Sequence, residues 1–148
     1  MATNSVEVSG NIANKPEAVL AYIANVRNRP LYLGSLKAVT DVKGDPSGGA
    51  GTTWNWVWVA LGMEFQGTAK CLKYEPGKLY SFKTEGGISS TWTYTAQPEG
   101  GGTKLTIHVD FEVPARAPSK LSAADKADAM KKAEADRVMH NLKVILDQ

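Results

Sequence analysis

Cysteine is almost missing from this chain. Cys71 stands alone, which excludes an internal disulfide and any cysteine cluster able to hold a metal, and it fits a reducing, cytoplasmic setting. Histidine is scarce as well, limited to His108 and His140. Neither sign of charge prevails: 17 Lys plus Arg against 15 Asp plus Glu leave a net charge of +2, and the lysines are scattered, so no basic stripe exists for nucleic acid. No apolar run approaches the ~20 residues that cross a bilayer, and the opening Met1-Ala2-Thr3-Asn4-Ser5 has neither the basic nor the apolar part of a signal peptide. The glycine-rich stretch from Gly44 to Gly51 lacks the Gly-Lys-Ser/Thr of a phosphate loop and leads into a strand instead of a helix, so nucleotide binding is rejected. No Ser-His-Asp set, clearly co-located carboxylate pair or metal-ligand spacing is present. No catalytic residue, metal or cofactor is therefore assigned.

What is there reads as one α+β domain over residues 1–148. Hydrophobic residues make up 43% and charged residues 22%, an ordinary globular balance with enough chain for a sizeable core. From Ser5 to Ile12, Val6, Val8, Gly10 and Ile12 alternate with Glu7, Ser9 and Asn11, the period of a strand with one buried face. Asn14 and Glu17 have capping-box spacing, Pro16 suits a first helical turn, and Val19, Leu20, Ile23 and Val26 keep helical spacing. Pro30 ends that helix; a second short one runs to Leu33, where Gly34 can supply the left-handed stop.

From Leu36 on, turn signals at Gly44 to Gly51, Leu61-Gly62, Glu75-Pro76-Gly77, Glu85-Gly86-Gly87 and Pro98 to Gly102 divide the chain into six strands. These connections are too short for crossover helices, which predicts an antiparallel meander. Beyond Pro114 the chain turns to Ala, Lys, Met and Leu. Ser119 or Ser122 can cap a final helix, and from Ser122 it would run ~39 Å. Its apolar stripe comprises Leu121, Ala124, Ala127, Ala135, Val138, Met139, Leu142, Ile145 and Leu146.

This order resembles the helix-grip (SRPBCC) superfamily of START lipid-transfer domains, polyketide cyclases and birch-pollen-allergen-type proteins. The resemblance rests on Ile12-Ala13-Asn14-Lys15-Pro16-Glu17-Ala18-Val19, the Pro30-Leu31-Tyr32 bend, Gly48-Gly49-Ala50-Gly51-Thr52 leading into Trp54, and Gly102-Thr103-Lys104-Leu105-Thr106 before Val113-Pro114. It implies a seven-stranded curved antiparallel sheet wrapping the long C-terminal helix, with two short helices after the first strand. It also implies a cavity for a small hydrophobic molecule and a glycine-rich hairpin beside its opening. The fold alone does not fix an activity, since it hosts transporters, cyclases, hydrolases and chaperone-binding domains.

The residues themselves point to the same interior. Trp54, Trp56 and Trp58 alternate on one strand and project from one face; matched with Leu105, Ile107, Val109 and Phe111, they point inward and leave Asn55, Thr106, His108 and Asp110 outside. Simple core packing is the competing account. On the next strand Met63, Phe65, Gly67, Ala69 and Cys71 share a face, the small residues leaving room beside the indoles, whereas Leu72 and Tyr74 break the alternation as a bulge would. Tyr80, Trp92 and Tyr94 add rings whose polar tips can orient a ligand.

On the final helix, Ala135, Val138, Met139 and Leu142 complete the lining. Asp128 and Lys131 fall within the apolar sector, so Lys131 either meets an anionic head group at the pocket mouth or is simply solvated. His140 lies about 160° from Leu142 on the helix, away from the interior. The leading expectation is a non-catalytic carrier of a lipid-like or aromatic molecule, monomeric or homodimeric. A cyclase or aromatase using Tyr80, Tyr94 and Lys131 is the alternative, and a protein-binding module using the open sheet a third.

Overall fold

Alternation along each strand is what shapes the molecule, because every second side chain is apolar and must be covered. The computed structural model describes residues 2–32, 36–44, 49–60, 63–85, 89–113 and 124–146. Strand β1 (Ala2–Ile12) leads into helix α1 (Pro16–Ala24), a 3-10 turn (Val26–Asn28) and the single turn α2 (Arg29–Tyr32). Strands β2 (Leu36–Lys43), β3 (Thr53–Ala60), β4 (Met63–Glu75), β5 (Leu79–Glu85), β6 (Ser90–Glu99) and β7 (Gly102–Val113) follow, and helix α3 (Ala124–Leu146) closes the order. The strands form one antiparallel sheet in the sequence β1-β7-β6-β5-β4-β3-β2, so the meander is completed by the first strand pairing with the last.

Register decides which face is inside. Trp54 pairs with Ala69, Trp56 with Gly67, Phe82 with Trp92 and Tyr80 with Tyr94. These residues, with Leu105, Ile107, Val109 and Phe111, share the inner face. The alternation broken at Leu72 and Tyr74 is a register shift between Cys71 and Lys73, which turns Leu72 outward and returns Tyr74 to the ring of Tyr80. At the other hairpin, Gly100 and Gly101 both have positive φ, the backbone of a tight two-residue reversal that side chains disfavour.

Helix α3 lays Ala135, Val138, Met139, Leu142 and Leu146 on the sheet. Each larger side chain contributes about 1.5–3 kcal/mol by leaving water. Met139 crosses β1 at Gly10, where an added Cβ would lie 3.1 Å from its sulfur. The helix is also tied at polar points. Asn14 Nδ2 donates to the Leu146 carbonyl at 3.1 Å, Lys143 Nζ to the Asn11 carbonyl at 3.0 Å, and Asn141 Nδ2 to the Tyr32 carbonyl at 3.0 Å.

The capping box expected at Asn14 is not formed. Lys15 is the N-cap and makes no side-chain cap, because Asn14 is engaged with Leu146 and with the amide of Lys15. The stop at Gly34, the turns at Leu61-Gly62 and Gly86-Gly87, residues 45–48 of the glycine-rich loop, the caps at Ser119 and Ser122, and Leu121 lie outside the described residues. So do the side chains of Met63, Phe65, Ala124, Ala127, Asp128 and Lys131.

Candidate functional site

Between the inner sheet face and the short helices lies an aromatic cluster. Phe82 stacks on Trp92 with centroids 6.2 Å apart and an interplanar angle of 5°, and Tyr94 stacks on Trp92 at 6.2 Å and 20°. Trp54 tilts against Phe82 at 5.7 Å, and Tyr80 lies 6.4 Å from Tyr94. Alternation on β3, β5 and β6 produces this group: Phe82 and Trp92, and Tyr80 and Tyr94, are cross-strand pairs, and Trp54 reaches Phe82 across its small partner Ala69 on β4.

Arg29, at the start of α2, is inserted into these rings and is only 1% exposed. Its guanidinium carbon lies 4.1 Å from the Phe82 centroid, 4.7 Å from that of Trp54 and 5.1 Å from that of Tyr80. Nη2 donates to the Tyr80 hydroxyl in a close contact, and Nη1 donates to the Tyr32 hydroxyl at 3.3 Å. The Tyr32 hydroxyl in turn donates to the Ile23 carbonyl at 2.9 Å, which fixes α2 on α1.

Among the described residues, Arg29 Nε and the Tyr94 hydroxyl are buried without a hydrogen-bond partner, and the Glu134 carboxylate of α3 acts on Tyr94 through space. Among the described residues no carboxylate pairs with Arg29 either; Tyr32, Tyr80, Tyr94 and Cys71 are coupled to its charge. An unpaired buried ion costs several kcal/mol. Ring faces at about 0.5–2 kcal/mol apiece and hydrogen bonds to neutral hydroxyls at roughly 1 kcal/mol offset part of that. The Arg29 cation is thus incompletely satisfied by the described residues around it.

Burial opposes the Arg29 charge, yet its three tyrosine neighbours and the hydrogen bond to Tyr80 lift its pKa above the ordinary arginine value. Burial pushes Tyr80 upward in spite of Arg29, and drives Tyr94 well above the ordinary tyrosine range. Tyr32, the other residue bonded to Arg29, is raised by burial too. The Cys71 thiol is buried beside them and is likewise raised, first by burial, with Arg29 acting against it.

Trp54, Tyr80, Trp92, Tyr94 and Ile107 are buried on the inner face, and Ala135, Val138, Met139 and Leu142 on the helix opposite. Trp58 is half-buried against the same core. Gly67 does not leave open room: the Trp56 indole lies over it and donates Nε1–H to the Thr68 carbonyl at 2.9 Å, so a Cβ there would overlap the ring and the Glu85 carbonyl oxygen. Arg29, Tyr32 and Phe82 belong to the cluster although the sequence reading did not select them. His140 is exposed on α3, and His108 sits on the outer face between Glu7, 3.4 Å away, and Asp110, 2.9 Å away.

A separate depression of about 650 Å³ opens on the outer side of β2 to β5, where Asp41, Lys43, Lys70, Lys83 and Glu85 mix both signs of charge. It has no aromatic face beyond Trp54, whose ring turns inward to Phe82.

An antiparallel sheet closed over a C-terminal helix defines the helix-grip class. The family model described as polyketide cyclase / dehydrase and lipid transport matches residues 3–146, and the chain belongs to that family. The protein TTHA0849 from Thermus thermophilus superposes with a TM-score of 0.79 at 20% identity, covering 95% of this chain and 94% of that one. Ara h 8.0201 gives 0.72 at 16% identity over 99% and 100%. The Zhui aromatase/cyclase from a Streptomyces species, R1128, gives 0.71 at 16% identity over 95% and 88%. No curated protein sequence matches the chain. Among the described residues no helix is long and apolar enough to cross a membrane.

Proposed function

We infer that this protein binds a small hydrophobic, ring-containing or lipid-like molecule between the inner sheet face and helix α3, and holds it without chemical conversion. The observation that carries this reading is the pair of partnerless buried atoms, Arg29 Nε and the Tyr94 hydroxyl, set within a stack of aromatic faces. A finished core satisfies its polar atoms, whereas a binding site leaves a few for its ligand. Membership of a family described by lipid transport and polyketide cyclisation agrees with such an interior.

The non-catalytic part of the reading is supported by the protonation states of the cluster. Burial holds Tyr80, Tyr94 and Cys71 in their neutral forms, so they can donate hydrogen bonds but make poor bases or nucleophiles at neutral pH. Thermal shift and tryptophan quenching against fatty alcohols, sterols and polycyclic aromatics test the binding. Saturable quenching by at least one class is expected, and indifference to every class would remove the proposal.

A further inference from the structure

We propose that Arg29 and Tyr94 form the anion-binding end of this interior, so that the ligand is an amphipathic carboxylic acid whose carboxylate meets Arg29 while its apolar body lies against the rings. The inference rests on the binding function proposed above and specifies its ligand class.

A guanidinium carries five N–H groups, of which the Tyr32 and Tyr80 hydroxyls each accept one. Nε–H has no acceptor although Arg29 is 1% exposed, and the Tyr94 hydroxyl has none although that residue is 0% exposed. The two groups are neighbours, because the Tyr80 hydroxyl contacts Arg29 and the Tyr80 ring lies 6.4 Å from Tyr94. The Glu134 carboxylate acts on Tyr94 rather than on Arg29. One anionic oxygen pair can accept from both, which gives Arg29 a counter-charge where no described carboxylate pairs with it, and satisfies both orphan donors in a single step. An uncharged ligand does only the second.

Helix α2 is held for this task. Its Tyr32 is anchored twice, by its own hydroxyl to Ile23 and by its carbonyl to Asn141 of α3, so the turn bearing Arg29 is fixed to both walls. The rings of Phe82, Trp54 and Tyr80 fix the guanidinium itself.

The test compares matched acid and alcohol pairs at neutral pH by tryptophan quenching: naphthoic acid with naphthalenemethanol, anthracenecarboxylic acid with anthracenemethanol, and decanoic acid with decanol. Wild-type protein should bind the acid of at least one pair tenfold or more tighter than its alcohol, the scale of a charge-assisted hydrogen bond in a dry site. In Arg29→Gln that ratio should fall close to one, the acid losing far more affinity than the alcohol, and in Tyr94→Phe it should fall about threefold or more.

Alcohols binding as tightly as acids to the wild type, or a ratio untouched by Arg29→Gln, would overturn the inference while leaving hydrophobic binding intact. Failure of every acid and every alcohol to bind would overturn the binding function itself. Should Arg29→Gln not fold, the wild-type ratio and its response to Tyr94→Phe decide the matter.

Discussion

Replacing Tyr94 by Phe should make the ligand-free protein more stable, the reverse of what removing an atom from a core generally does. Tyr94 is fully buried and its hydroxyl has no partner. The oxygen thus loses water on folding and recovers nothing, at a cost of about 1–3 kcal/mol. Phenylalanine keeps the ring and its stacking on Trp92 and Phe82, whose centroids lie 6.2 and 6.4 Å away at 20° and 19°. The net expectation is a gain of about 1–2 kcal/mol. For a domain of this size it corresponds to a melting temperature ~2–8 °C higher. Urea denaturation should show a later midpoint at unchanged slope, because no surface is added or removed. A loss of 1 kcal/mol or more would mean that the hydroxyl is satisfied in the empty protein, and the reasoning about an anion-binding end would fail with it. A gain in stability joined to weaker acid binding is the trade expected where a side chain is kept for a ligand.

Gly67→Ala should destabilise by about 2–3 kcal/mol in chemical denaturation, since its methyl group overlaps a backbone oxygen that cannot withdraw and displaces the Trp56 indole from the Thr68 carbonyl; an effect below ~0.5 kcal/mol would contradict that packing. Asn141→Ala removes the link between α3 and α2 and should cost about 1 kcal/mol while weakening acid binding more than alcohol binding, a difference that matched titrations would reveal. Tyr32, Tyr80 and Tyr94 have raised pKa values in the folded chain, so they bind more protons than the unfolded chain once pH exceeds the ordinary tyrosine value of about 10. Their contribution to stability is complete below that pH and declines above it. Tyrosinate absorbance followed alongside circular dichroism should show these three ionising only as the fold is lost; normal titration in an intact fold would refute their burial.

Strands, meander and closing helix are legible in the sequence because each depends on a period that repeats over many residues. The row Trp54, Trp56, Trp58 fixes a face, and its register with Ala69 and Gly67 follows from the need to cover it. Even the bulge at Leu72 is signalled, by two apolar residues falling out of phase. Arg29 is not legible. It opens a helix of four residues, too short to have a pattern, and a charge beside a proline reads as solvated surface. Its burial comes from where the 3-10 turn aims α2, which is a tertiary fact.

Gly67 illustrates the opposite error. A missing side chain reads as vacant space, but the cross-strand partner of a glycine gains freedom to lean over it, and Trp56 does. Asn14 shows that a capping motif yields when a distant carbonyl, here that of Leu146, offers the amide a partner.

The pairing of the first strand with the last bears on how the molecule assembles. Val8 meets Ile107 and Gly10 meets Leu105, partners separated by roughly a hundred residues, and α3 then seats Met139 over Gly10. Local hairpins can form early along β3 to β7, but the wall that supports α3 exists only after the two distant segments find one another. Closing so long a loop is entropically slow, on a scale of milliseconds to seconds for sheet-rich topologies. Until then the indoles and the Arg29 cradle stand open to solvent, and an acid present during synthesis would find its binding surface unfinished.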